Sequence, residues 1–232
     1  MKEMLSAWHG DAVQFLKILL SPCQRKHVCR WLFSLRPNYL LDTQTPWMTF
    51  DAADYLVPRL SPKAKVFEYG GGGSTLFWLK SNATLVSVEH DPQWFAVVRG
   101  RVHASGDFDY RIVPPERAVM SATADPSDPT SYVSVDPLFR GYSFKKYVSQ
   151  IDAFPDCCFD IVMIDGRARP SCIMHSAGKV KLGGFLILDN ADRLYYTAKT
   201  QEYLENFTCQ QFYGAGPCGS LMWRTDIYTR SR

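Results

Sequence analysis

The run Glu68-Tyr69-Gly70-Gly71-Gly72-Gly73-Ser74-Thr75 sets four successive glycines between an apolar stretch and a segment of helical pattern. Glycine takes positive φ without a Cβ penalty and lets a ligand approach the backbone. A helix starting there adds free N–H groups and the positive end of a dipole. Glu89 ends the next apolar stretch, 17 residues after Gly72. A carboxylate at that place accepts both hydroxyls of a ribose. Together these residues point to a nucleoside-containing cofactor. Further along, Asp165 closes the apolar run Phe159–Ile164, and Asp189-Asn190 closes the run Phe185–Leu188. Carboxylate and amide oxygens in such positions suit a substrate contact or a hard cation such as magnesium. Gly166-Arg167-Ala168-Arg169-Pro170 follows Asp165, and Arg193 and Tyr196 take the corresponding place after Asp189. Arginines there suit a carboxylate or phosphate.

Two cofactor chemistries compete for the glycine loop. The dinucleotide pattern G-x-G-x-x-G/A reads here as Gly70-x-Gly72-x-x-Thr75, with Thr in the third small position. Glu68 weighs against it, because a carboxylate aimed at the loop repels a pyrophosphate. It attracts a cationic amino-acid moiety, such as the methionine part of S-adenosylmethionine.

The elements that must position these residues alternate. Apolar residues at Met4, Leu5, Trp8, Ala12, Phe15, Leu16 and Leu19 predict a first helix. Ser21-Pro22 with Gln24 reads as a capping box opening a second helix over 22–35. Helix is expected over 50–60, strand over 65–69, helix over 74–80 and strand over 85–88. Asp91-Pro92 caps a helix carrying Trp94, Phe95, Val97 and Val98 on its apolar face. Strand 110–113 follows, then an irregular stretch over 114–142 that reads as a lid or substrate loop. Helix over 145–154, strand over 159–164, helix over 171–181, a Gly183-Gly184 turn, strand over 185–188 and helix over 192–206 complete the alternation. The end reads as a hairpin of strands 208–213 and 221–228. The predicted fold is α/β: a doubly wound, mainly parallel seven-stranded sheet with an antiparallel C-terminal hairpin strand and an N-terminal helical segment. Residues 1–45 are expected as a helical cap and 46–232 as a Rossmann-like domain.

Composition narrows the classes. The 232 residues are 46% hydrophobic and 21% charged, as expected of a folded globular chain rather than a disordered or coiled-coil one. A net charge of +3 is too mild to make nucleic acid the expected partner. No stretch approaches the roughly 18 apolar residues of a membrane span, and no export signal is read at the start, so no membrane and a cytoplasmic setting are expected. Seven cysteines without a C-x-x-C pair read as reduced thiols. Residues 1–36 hold six Lys and Arg against two acidic residues, a solvated basic face or a docking surface for an anionic substrate.

Four motifs in order resemble the class I S-adenosylmethionine-dependent methyltransferases: Glu68-x-Gly70-x-Gly72-x-Ser74, Ser87-Val-Glu89-His90, Phe159-Asp-Ile-Val-Met-Ile-Asp165-Gly166, and Lys181-Leu-Gly-Gly-Phe-Leu-Ile-Leu-Asp189. Ser74 stands where the family's last glycine falls. The resemblance spans about residues 46–229. It implies that Glu68 and the loop (Gly70, Gly71, Gly72, Ser74, Thr75) hold the methionine part, and that Glu89 binds the ribose with His90 beside it. It further implies that Trp47 and Thr49 close over the cofactor and that residues 114–117 neighbour the adenine. Asp165 becomes the candidate catalytic and cofactor-contacting residue. Asp165, Asp189 and Asn190 resemble the metal-binding set of catechol-type O-methyltransferases. Magnesium there would lower the pKa of a substrate hydroxyl. In the alternative, Asp165 contacts substrate or cofactor and Asp189-Asn190 caps a helix. Arg167, Arg169, Arg193 and Tyr196 are the candidate substrate contacts. The implied activity is methyl transfer, at oxygen first, to a small-molecule or sugar-like and anionic acceptor, with homo-oligomerisation open. An aminopropyltransferase, an NAD-dependent oxidoreductase and a non-catalytic S-adenosylmethionine-binding protein are the rival readings.

Overall fold

The computed structural model describes residues 2–103, 107–118 and 124–232. Its centre is a seven-stranded sheet built from β1 (Lys65–Tyr69), β2 (Thr84–Glu89), β3 (Phe108–Ile112), β6 (Phe159–Ile164), β7 (Val180–Leu188), β8 (Phe207–Gly214) and β9 (Trp223–Arg230). The strand order is β3-β2-β1-β6-β7-β9-β8. β1 pairs in parallel with β2 and β6, β2 with β3, and β6 with β7, whereas β9 runs antiparallel to both β7 and β8. The order reverses between β1 and β6. In an open α/β sheet, the crevice at the carboxyl ends of such a strand pair is where ligands bind.

Strand periodicity divides the core. Phe67, Tyr69, Val162, Ile164, Leu186 and Leu188 pack on one face, and Val66, Ile161, Met163 and Ile187 on the other. β6 is apolar on both faces, as a central parallel strand must be. The helices are α1 (Lys2–Leu20), α2 (Val28–Ser34), α3 (Tyr39–Thr43), α4 (Phe50–Leu56), α5 (Gly73–Lys80), α6 (Pro92–Arg99), α7 (Lys145–Val148) and α8 (Arg169–Ser176). Two further short strands, β4 (Glu116–Arg117) and β5 (Tyr142–Ser143), pair antiparallel. Asp91 caps α6 as predicted, its carboxylate accepting from the N–H groups of Gln93 and Trp94.

Several expectations are corrected. The stripe predicted on α1 is displaced: Ile18 and Gln14 are buried, while Leu16 and Leu19 are exposed. The side chains of Met4, Leu5 and Trp8 lie outside the described residues. The second helix begins six residues late, after a 3-10 turn at Arg25–His27. Gln24 does not complete a capping box. Its amide donates to Asp51 at 2.7 Å and accepts from the Ala215 N–H at 2.9 Å, so a tertiary contact wins over the local cap. Residues 192–206 form two 3-10 turns, Leu194–Tyr196 and Gln201–Leu204, in place of a helix. Tyr195, Tyr196, Thr197 and Thr200 there are weak helix formers. Gly183-Gly184 lies within β7, where Gly183 has φ +75° and the pairing with β6 shifts register. In the stretch 114–142, residues 119–123 lie outside the described residues. Its remainder carries β4, β5 and a 3-10 turn at Pro137–Phe139.

Ile18 and Trp31 pack with Phe50 and Ala215, which joins α1 and α2 to the β8–β9 connection. The Trp31 indole donates to the Gly219 carbonyl at 2.8 Å, and Ser220 donates to Asp11 at 2.7 Å. The N-terminal helices thereby hold residues 215–222 against the end of the sheet. Among the described residues, no helix is long and apolar enough to cross a membrane.

Candidate active site

A cleft of about 830 Å³ opens at the carboxyl ends of β1, β2, β6 and β7. Pockets of that size accept a drug-sized ligand with room beside it. It gathers Trp47, Gly70, Gly71, Gly72, Ser74, Glu89, His90, Asp165, Arg167, Arg169, Asp189, Asn190 and Arg193, all singled out from the sequence. It does not gather Thr49, Glu68, Thr75 or Tyr196.

The glycines do different work. An added Cβ at Gly70, whose φ is +89°, would lie 2.9 Å from the Gly166 backbone. At Gly166 it would lie 2.0 Å from the Tyr147 hydroxyl. The turns after β1 and β6 thus touch through two residues without side chains. At Gly71 a Cβ would meet the Tyr110 hydroxyl at 2.6 Å, and at Gly73 the Thr45 carbonyl at 2.3 Å. At Gly72 alone of the four a Cβ would meet nothing closer than ordinary van der Waals contact, with Trp94 3.9 Å away. All four line the cleft, but three of them could not carry a side chain without a clash, and Gly72 is the one with room for a Cβ.

Strand geometry places Glu68 outside the lining of the cleft. Its side chain points to the same sheet face as Val66, pairs across β1–β2 with Ser87, and is fully buried beneath α5. It accepts hydrogen bonds from Thr75, from Ser87 at 2.6 Å and from the Trp78 indole at 3.2 Å. Burial pushes its carboxyl upward, against the pull of these donors. Thr75 also accepts from the Gly72 N–H at 2.9 Å. Glu68 and Thr75 therefore brace the loop from below. Thr49 is fully buried, its N–H donating to Thr225 and its hydroxyl to the Phe212 carbonyl.

Glu89 does face the cleft. Oε1 accepts from the N–H groups of His90 and Asp91 at 2.6 and 2.8 Å, and Oε2 from Gly71 at 3.1 Å. Oε1 is filled, whereas Oε2 keeps a lone pair for a hydroxyl. His90 Nδ1 lies 2.7 Å from Glu89 Oε1, but its N–H does not aim at that oxygen.

The acids and arginines sort themselves by partner. Arg169 is buried and donates to the Gly166 carbonyl at 3.0 Å, to the Asp165 carbonyl at 3.2 Å and carboxylate at 2.9 Å, and to the Asp189 carbonyl. Its guanidinium stacks over Tyr196, 5.0 Å from the ring centre. Neither residue is free to clamp an anion. Asp189 Oδ1 accepts from the Trp223 indole at 2.8 Å and the Thr225 hydroxyl at 2.6 Å. Burial, with Asp189 and Glu68 nearby, pushes the Asp165 carboxyl up to about 8, against the opposing pull of Arg169. Arg167 pairs with Asp136 at 3.0 Å and lies over Phe139. Arg193 is exposed and donates to the Tyr196 hydroxyl at 3.1 Å. The candidate metal donors, Asp165 and Asp189, thus hand oxygens to N–H and O–H groups, and a guanidinium sits against one of them. Among the described residues the one group of three His, Cys, Asp or Glu spaced for a metal is His27, Asp51 and Asp54. Lys26 and Arg30 already pair with its two carboxylates.

Sequence reasoning missed Leu40, Trp94, Leu138, Phe139, Met222 and Trp223, which also line the cleft. The Trp94 indole donates to the Gly71 carbonyl at 2.7 Å, although its helix pattern reads as core. Leu138 and Phe139 come from the irregular stretch that also holds residues 114–117, the expected neighbours of adenine. None of the latter lines the cleft.

No family model matches the chain. No curated protein matches it either. Among solved structures, it is similar to a putative O-methyltransferase from Klebsiella pneumoniae, with 15% identity, TM-score 0.57, and 97% of this chain and 99% of that one covered. It is also similar to the O-methyltransferase TomG from Streptomyces achromogenes, involved in tomaymycin synthesis and solved with SAM (14% identity, TM-score 0.56, 88% and 98% covered). A third is the O-methyltransferase from Bacillus cereus in complex with SAH (13% identity, TM-score 0.54, 94% and 91% covered). In strand order, in the reversed ninth strand and across nearly its whole length, this chain has the seven-stranded fold of S-adenosylmethionine-dependent methyltransferases.

Proposed function

We propose that the protein transfers the methyl group of S-adenosylmethionine to an oxygen of a small-molecule acceptor. The observation that carries this reading is the pairing of an open Gly72 backbone with Glu89 Oε2 in one cleft at the switch point of the sheet. Gly72 admits the cofactor's main chain-like part, and Glu89 accepts from a ribose hydroxyl. Trp47 and Trp94 supply apolar walls for the adenosine. Asp165 sits at the end of β6 with a raised carboxyl pKa, suited to a proton from the acceptor hydroxyl. Methyl transfer from a sulfonium is an in-line displacement whose leaving group is already activated, so alignment is the larger part of the work. Arg193 at the rim keeps N–H groups for an anionic acceptor. The solved relatives that bind SAM or SAH support the cofactor, and their names support oxygen as the methylated atom. The antiparallel β9 inserted between β7 and β8 disfavours the NAD-dependent reading.

Thermal denaturation with S-adenosylhomocysteine, with NAD as the control, tests the cofactor. Ligand at 100 times its dissociation constant stabilises by about 2.7 kcal/mol. Stabilisation is expected with S-adenosylhomocysteine alone. Glu89→Gln should weaken that binding by about 1.5–3 kcal/mol, because it removes a charged acceptor. Stabilisation by NAD alone would replace this reading with the oxidoreductase.

A further inference from the structure

Arg169 is the most thoroughly bonded cation of the cleft. Four hydrogen bonds run from its guanidinium to the ends of two adjacent strands: to Asp165 and Gly166 after β6 and to Asp189 after β7. Its side chain is 7% exposed. The Tyr196 ring covers one face. Asp165, Asp189 and Glu68 bring three carboxyl groups to this end of the sheet, and among the described residues Arg169 is the one cation ion-paired with any of them. A planar fork with fixed donors suits that task better than a point charge. A divalent ion held by Asp165 and Asp189 would face the guanidinium as a like charge, with Asp189 Oδ1 already taken by Trp223 and Thr225.

We propose that Arg169 is the resident cation of this cleft, a positioning residue that orients Asp165 and ties the end of β6 to the end of β7, and that the site takes no divalent metal. The role is physical and has two parts. The guanidinium holds the Asp165 carboxylate in one orientation through the 2.9 Å bond, and it fixes the backbone from which Asp165, Gly166 and Asp189 project. The inference rests on the methyl-transfer reading only for its ligand-binding arm.

The test uses the full chain in three forms: wild type, Arg169→Lys and Arg169→Met. Manganese, titrated alone and followed by its electron paramagnetic resonance, reads metal binding without any cofactor. S-adenosylhomocysteine affinity is measured against pH, in chelator and in magnesium. Wild type should bind no manganese at the cleft, and its affinity for S-adenosylhomocysteine should be the same in chelator as in magnesium. Arg169→Met should lose about tenfold or more in affinity, as expected for loss of hydrogen bonds to a charged group. Its pH midpoint should move upward, because Asp165 would then face Asp189 and Glu68 without the guanidinium, with Glu89 and His90 also lining the cleft. Arg169→Lys should restore the midpoint through its charge while recovering affinity only in part. A purely structural Arg169 would lower the melting temperature and leave the midpoint unmoved, which would overturn the positioning role. Stoichiometric manganese binding by the wild type, lost in Asp165→Asn, would overturn the metal-free site. If Arg169→Met does not fold, the uncharged Arg169→Gln reads the midpoint in its place, an unmoved midpoint again overturning the positioning role, and the manganese titration stands unchanged. Failure of the wild type to bind S-adenosylhomocysteine would strike the cofactor reading instead, and the manganese arm would still judge this one.

Discussion

At Gly70, Gly71, Gly73 and Gly166 an added Cβ would run into the protein, and at Gly72 it would stand in the cleft. The same residue type thus answers two different demands within a few positions. Gly73→Ala should cost about 1–3 kcal/mol of stability, since the Thr45 and Leu40 carbonyls are backbone and cannot swing aside. Gly72→Ala should leave stability within about 0.5 kcal/mol of wild type, because its φ of 177° is extended and its surroundings are open. Its methyl should weaken S-adenosylhomocysteine binding by about tenfold or more, the equivalent of a small overpacking cost. Melting temperatures and calorimetric affinities of the two variants read these effects separately. Equal loss of stability in both would remove the division. Glu68 shows the same point for a carboxylate. Its type and its distance from Gly70 are visible in the sequence, but the side of the sheet it takes follows from the β1–β2 register that sets it opposite Ser87.

Elements place the cleft's walls. The five parallel strands alternate with helices and are legible from apolar runs and turn signals; β1, β2 and β6 are buried on both faces and carry near-continuous apolar patterns, while β3 at the sheet edge is partly exposed. The wall contributed by residues 219–223 is not legible. It depends on α1 and α2, which reach it through Asp11 and Trp31, and on Gln24 in the turn between them, which holds Ala215 just before it, across nearly the whole chain. Gln24→Ala should cost about 1–3 kcal/mol, because the buried Ala215 N–H would lose its acceptor. Urea denaturation measures that cost, and an unchanged midpoint would show that the helices do not brace the hairpin connection. Residues 192–206 failed as a helix for a complementary reason. Their apolar spacing fits one, yet Lys199 pairs with Asp125 and Arg169 stacks on Tyr196. Tertiary partners there outweigh a weak local preference.

For the molecule as a whole, the buried acids link stability to pH. The Asp165 carboxyl is raised to about 8, mainly by burial, above the unfolded carboxylate value of about 3.9. The folded state therefore binds more protons than the unfolded state between those values. This contribution is fully present below pH 4 or so, about the unfolded pKa, and is lost as pH rises through about 8. Wild type should lose melting temperature between about pH 4 and 8, and Asp165→Asn should lack that part of the decline, the window set by the unfolded and folded pKa values. Parallel profiles would mean that Asp165 titrates normally. The residue types of the cofactor loop, the alternation of strands and helices, and the acidic ends of β2, β6 and β7 are all written locally, because each depends on neighbours within a few residues. The partners of those acids are not. Whether Asp165 meets a metal or Arg169, whether Glu68 faces the cleft or the underside of α5, and which residues of the N-terminal helices and the hairpin close the wall depend on segments far apart in the chain. Sheet register, close glycine contacts and buried hydrogen bonds bring those segments together, and they exist only once the chain has folded.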